Sequence, residues 1–164
     1  MNVFKQSIAT SAHPAVILIR FSIGAVFLSE GIQKFLYPVA LGVGRFEKMG
    51  FEAAAFLAPM VGTFEIVCGV MVLAGLLTRV AAVPLVAIML TAIMTTKVQI
   101  LVGHDLWGFH VRQLSTYGFW SMAHEMRTDL AMLLGSLFLL VVGGGMWSMD
   151  AVLQRRSQPQ KDPD

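Results

Sequence analysis

Five charged side chains lie inside long apolar runs: Arg20, Glu30, Lys34, Glu65 and Lys97. A lone charge at the centre of a bilayer costs about 2.5–3.5 kcal/mol on insertion scales, so such residues turn toward the interior of a helix assembly and pair. Glu65 is the sharpest candidate. It sits mid-run, out of reach of water, and a carboxylate there can hold a polar head group or pass on a proton. Its expected partner is a cation of the first run, Lys34 or Arg20, with Lys97 as the third choice. Glu30 precedes Lys34 by four residues, the favourable order for a helical ion pair. Lys97 stands near the end of its run and is expected to extend toward the interface. Glu30 and Lys97 are kept as candidate ligand contacts. A static reading stands beside the chemical one, because buried ion pairs can serve only to fix helix register.

A second concentration of reactive types is the stretch 103–126, which holds three of the four histidines and two of the three tryptophans. Such rings sit comfortably at a membrane–water boundary. A bolder reading makes the stretch a lid over a flat, apolar ligand arriving from the membrane, with His104 and Trp107 touching it; quinones are the class that fits. A metal is not expected. His104, His110, His124, Asp105 and Glu125 follow no compact ligand spacing, and no histidine lies mid-run to hold a haem. Cys68 is the only cysteine, which leaves no internal disulfide or Cys-x-x-Cys pair. It reads as a small core residue. The eleven methionines read as gap fillers. No phosphate loop, dinucleotide fingerprint or nucleophile triad is present.

These side chains need elements to hold them, and composition says which. Of 164 residues, 56% are hydrophobic and 13% charged, against about 25% charged in soluble domains. The mean hydropathy is +0.71. Disorder is excluded, and so few charges cannot cover a soluble globule. A net charge of +2 gives no reason to expect nucleic acid as a partner. The partner to expect is the lipid bilayer.

A spanning helix takes about 20 apolar residues. The expected fold is all-α, a bundle of four transmembrane helices at 14–36, 52–77, 80–102 and 127–149, within one membrane domain at 14–153. Residues 1–13 form an N-terminal segment and 154–164 a disordered polar tail. Arg20 interrupts the first run, so a cleaved signal peptide is not expected. Tyr37-Pro38 should stop the first helix. Gly42, Gly44 and Gly50 mark a loop. Gly75 with Thr78-Arg79 makes a connection so short that the second and third spans must be antiparallel neighbours. Pro59 and Pro84 should kink their spans. With an even number of spans both termini share one side. That side carries Lys5, Arg79, Arg155, Arg156 and Lys161, against Arg45, Lys48, Arg112 and Arg127 opposite. The excess of one places both termini in the cytoplasm.

Helical spacing sorts the charges onto faces. At 100° per residue, Gly24, Phe27, Gly31 and Lys34 fall within about 40° of Arg20. Gly62, Glu65 and Gly69 share a face of the second span. The third places Leu90, Ile93, Met94 and Lys97 on one side. Glycine faces let helices approach closely, and they permit a homo-oligomer without requiring one. Arg127 and Asp129 fall at the membrane surface, where the fourth span is expected to begin.

Three motifs, in order, resemble the DoxX family of small bacterial membrane proteins. The run 18–34 with Arg20, Gly24, Phe27, Gly31 and Lys34 is similar to the family's opening signature. Glu65-Ile66-Val67-Cys68-Gly69, followed by Leu73-Ala74-Gly75-Leu76-Leu77-Thr78-Arg79, is similar to its second-span pattern. Gly144-Gly145-Met146-Trp147-Ser148-Met149-Asp150 is similar to its closing pattern. The resemblance covers residues 15–153 and implies a four-helix bundle in the bacterial inner membrane. It also implies a link to redox chemistry: the family takes its name from a subunit of a thiosulfate:quinone oxidoreductase, and some members act with partners against oxidative stress. The expectation is therefore a membrane subunit of a quinone-linked oxidoreductase or redox-stress system, with a soluble oxidoreductase as partner. A non-catalytic membrane anchor for such an enzyme, or a small-solute or proton pathway, remain as alternatives.

Overall fold

Strings of apolar residues punctuated by glycine and proline become helices, and the punctuation sets their ends. The computed structural model describes residues 9–10 and 13–156. Among the described residues all extended elements are helical; the one strand-like feature is an isolated bridge between Leu106 and Phe109. Helix α1 is Val16–Leu36 and stops at Tyr37, whose φ of −126° and ψ of 62° are imposed by Pro38. A short helix α2, Val43–Lys48, follows in the glycine-rich stretch. Helix α3 is Ala54–Ala74. Helix α4, Thr78–Ala92, continues through a π-helical turn, Ile93–Lys97, into α5, Val98–Val102. Helix α6 is Phe119–Val142 and α7 is Met149–Arg156. Among the described residues three rods are long and apolar enough to cross a membrane: Val16–Leu36, Ala54–Ala74 and Thr78–Val102.

Two boundaries differ from expectation. The stretch 127–149 is not one helix. Gly118, at φ 108°, starts α6 eight residues earlier, and Gly143, at φ 83°, ends it. Apolarity ran on to Met149 only because Gly143–Ser148 carries no charge, while its three consecutive glycines cannot sustain a helix. Ser148 then opens α7, its Oγ accepting the Ala151 amide at 3.1 Å. Gln154, Arg155 and Arg156 are helical; the rest of the expected tail, 157–164, and most of the expected N-terminal segment lie outside the described residues.

Helices α1 and α3 pack backbone against backbone. A Cβ on Gly31 would lie 2.7 Å from the Gly62 carbonyl oxygen, and one on Gly69 would lie 2.9 Å from the Leu28 amide. The two seven-residue glycine pairs, 24/31 and 62/69, face each other in antiparallel order. Helix α3 then packs on α4, and α4 on α6, around a core that includes Phe27, Cys68, Val72, Leu85, Met132 and Leu139. Outside this core large apolar residues such as Leu18, Phe21, Val83 and Val141 stand exposed, the surface a bilayer requires.

Arg20 closes the end of the assembly where α3 turns into α4. Its guanidinium donates to four backbone carbonyls, those of Val72 at 2.9 Å, Leu73, Gly144 at 3.1 Å and Trp147 at 2.6 Å. The α3 carbonyls are among those a helix end leaves without partners. Asp150 completes the joint. Its carboxylate accepts the Leu77 amide at 2.7 Å and the Thr78 amide at 2.9 Å, capping α4 from a remote part of the chain. Leu77 has φ 46°, uncommon for a branched side chain, and this cap holds it there.

Two outcomes follow. Gly31→Ala should destabilise the detergent-solubilised protein by about 1–3 kcal/mol, because the clash is with backbone. Gly62→Ala meets mainly the movable ring of Phe35 and should be milder; equal melting temperatures for the two variants would contradict this packing. Arg20→Met removes four charge-assisted hydrogen bonds to carbonyls and should cost more than about 3 kcal/mol, read as a loss of folded, monodisperse protein.

Candidate functional site

The glycine contact brings α1 and α3 close enough for their charges to meet. Lys34 Nζ lies 2.6 Å from Glu65 Oε2, with the two side chains 10% and 4% exposed. Glu30 is at 3.9 Å from the same ammonium and is largely open to the surroundings. A second ion pair stands on the other wall: Lys97 Nζ to Asp129 Oδ2 at 2.9 Å, joining the end of the π turn to α6. Both pairs line one cavity of about 530 Å³, together with Glu30, Arg45 of α2, the hydroxyl-bearing Thr91, Thr95, Thr96 and Thr128, and apolar residues including Phe27, Phe64, Met89 and Met132.

The π turn explains why Lys97 is there. At a uniform 100° per residue it would share the face of Leu90 and Met94, both of which are exposed on the outside. In the π turn the Val98 amide reaches back five residues to the Ile93 carbonyl, and the extra residue rotates Lys97 inward. Carbonyls loosened by this geometry are taken up by threonine: Thr95 Oγ1 donates to Thr91 O at 2.8 Å and Thr96 Oγ1 to Ala92 O at 2.6 Å. Lys97 thus does not extend to the interface; it is held in the cavity wall.

The cavity is capped by α2 and the loop after α5. Phe46, Met49 and Phe51 form its roof, Phe46 and Ala54 seat that roof on α3, and Phe109 stacks behind Phe51 with ring centroids 4.9 Å apart. The His110 amide donates to Met49 O at 3.1 Å, tying the two loops together. In the outer loop, the Val111 amide and the His110 ring hold the Asp105 carboxyl below its usual range, the amide having the larger effect.

Of the expected site residues, the structure brings together Glu65, Lys34, Glu30 and Lys97. Arg20 is elsewhere: its four carbonyl partners make it a structural clamp, so it does not pair with Glu65. His104 and Trp107 do not line the cavity either. His104 Nδ1 contacts the Asp105 carbonyl oxygen at 2.8 Å, and Trp107 is exposed in the outer loop. The lid expected from that loop is made instead by 41–51. Asp129 and Arg45 were not anticipated. Apolarity alone begins the helix at 127 and puts Asp129 at the membrane surface; counted from Phe119 it is the eleventh residue of α6. Arg45 lies on a six-residue helix in a glycine-rich stretch, which leaves no periodic signal.

The charges sum to zero: Glu30, Glu65 and Asp129 against Lys34, Arg45 and Lys97. Lysine ammonium groups can donate to a carbonyl oxygen, and carboxylates can accept from a hydroxyl. The site thus suits a neutral head group on an apolar body. Its volume is within the range of about 300–1,000 Å³ usual for small-molecule sites. Lys34→Met should destabilise by about 3–5 kcal/mol by leaving Glu65 unpaired. The double variant Lys34→Met/Glu65→Leu should recover most of that loss, as read by thermal unfolding in detergent; no recovery would mean the two are not coupled.

The sequence profile of the DoxX family matches residues 15–98. Over 144 residues the chain is 56% identical to the "Uncharacterized membrane protein Rv3486" of Mycobacterium tuberculosis (strain ATCC 25618 / H37Rv), covering 88% of this chain and 84% of that one. No solved structure matches. The chain is an integral membrane protein of the DoxX family.

Proposed function

We propose that this protein is the membrane subunit of a quinone-linked redox system and that the cavity receives the quinone head group. The observation that carries the reading is a cavity with apolar walls and two ion pairs whose charges cancel. Lys34 Nζ would donate to one carbonyl oxygen of the quinone, and Glu65 beside it would exchange the proton that accompanies reduction. Lys97 and Asp129 offer the same pair of roles on the facing wall. Electrons come from a soluble oxidoreductase docked at the membrane, since quinone reduction takes up two electrons and two protons and this chain supplies groups for the protons. In this reading four helices, α1, α3, α4 with α5, and α6, cross the cell membrane, with both termini on the cytoplasmic side. The long charged start of α6 is compatible with crossing because Asp129 is paired and Glu125 lies 3.2 Å from Arg112.

The test is extraction of protein purified in mild detergent, with bound quinone quantified by mass spectrometry. Near-stoichiometric quinone is expected in the wild type and its loss in Glu65→Gln. A stable, quinone-free wild type that still co-purifies with a soluble oxidoreductase would reject this reading in favour of a non-catalytic anchor.

A further inference from the structure

The cavity has two side seams, and they are unlike. On helix α3, Phe64, Cys68 and Val72 follow one another at one-turn intervals, and Cys68 and Val72 pack in the core with α4. Val72 is 0% and Cys68 5% exposed, yet Phe64 is 46% exposed while still lining the cavity. On α4, Ala87 and Thr91 are likewise exposed and cavity-lining. The two helices are joined by the short Gly75–Leu77 turn, and Pro84 of α4 also lines the cavity. This seam carries no charged residue. The seam between α1 and α6 is shut where Ile23 packs on Gly135. Beyond that point it carries Val26 with the carboxylates of Glu30 and Asp129, a polar rim. The capped end is roofed by Phe46, Met49 and Phe51, backed by Phe109.

We propose that ligands reach the cavity sideways from the bilayer core, through the uncharged α3–α4 seam between Phe64 and Thr91. The site then serves a membrane-dissolved amphiphile with an uncharged head, and a small water-soluble anion is excluded. The α1–α6 seam, with its carboxylates, is the side that meets water and protons. The inference rests on the cavity being a ligand site, as proposed above, but not on the ligand being a quinone. The apolar seam fits an apolar traveller because it demands no desolvation of charge on the way in.

Reagent access tests it. Cys68→Ala removes the native thiol, and Met132→Cys places a new one at a buried, cavity-lining position. The protein is reconstituted in phosphatidylcholine vesicles. Pyrene maleimide dissolved in the lipid should label Met132→Cys, and a sulfonatoethyl methanethiosulfonate, an anion added to the water, should not. Adding Thr91→Trp should slow labelling about tenfold, equal to about 1.4 kcal/mol of added barrier. Val26→Trp, at the other seam, should leave the rate unchanged. Comparable labelling by the charged reagent, no labelling by either, or slowing by Val26→Trp alone would overturn the proposal. Met89→Cys, also buried on the cavity wall, replaces Met132→Cys if that variant fails to fold. Quinone content measured on the same samples separates the two ideas: lipid-side labelling without bound quinone keeps this route and rejects the quinone reading. Bound quinone with water-side labelling does the reverse.

Discussion

The distance between α1 and α3 governs the rest of the molecule. Four glycines let the two backbones approach until carbonyl oxygens occupy the space a side chain would take. At that separation Lys34 reaches Glu65 directly, and the pair can be buried without water between them. A wider separation would leave a carboxylate alone in an apolar wall, which lipid surroundings do not tolerate. Helices α4 and α6 pack against this two-helix unit, and the cavity is lined by residues of all four.

Charge is used in two different ways along the axis of the assembly. At the end where α3 turns into α4, Arg20 and Asp150 serve the backbone: each bonds peptide groups at or beside a helix end, and neither borders the cavity. Toward the other end, lysines and carboxylates serve each other across a space large enough for a guest. The same residue types therefore stabilise in one place and create a receptive surface in the other. What separates them is whether a carbonyl or a cavity lies within reach.

The helix faces were readable because period and glycine spacing are local properties. Gly24, Gly31, Gly62 and Gly69 pointed to a close crossing, and Glu30, Lys34 and Glu65 were assigned to it from spacing alone. Arg20 misled because it shares the stripe of Lys34, and a stripe does not reveal depth. Fourteen residues, almost four turns of α1, separate Lys34 beside Glu65 from Arg20 beside the end of α3. Lys97 misled for another reason: a single π turn breaks the uniform rotation on which face assignment depends, and nothing in Ile93–Lys97 announces it beyond two adjacent threonines. Asp129 was hidden by an error in where α6 begins, since apolarity marks membrane depth and not helix ends. The cap is a matter of long-range packing between 41–51 and 106–110, which no local pattern records.

The Asp150 cap has a consequence for how the chain is made. The turn it secures joins α3 to α4, yet the carboxylate lies 73 residues beyond Leu77 in the sequence. During synthesis the α3–α4 hairpin must therefore exist for a time with two uncapped amides and an unfavourable Leu77 backbone. It reaches its final form only when the segment after α6 folds back. The last described helix finishes one of the first turns, so emergence of α7, and not insertion of the hairpin, completes that turn. Such long-range closure is slow relative to helix formation, and it gives the short α7 a role in maturation out of proportion to its eight residues.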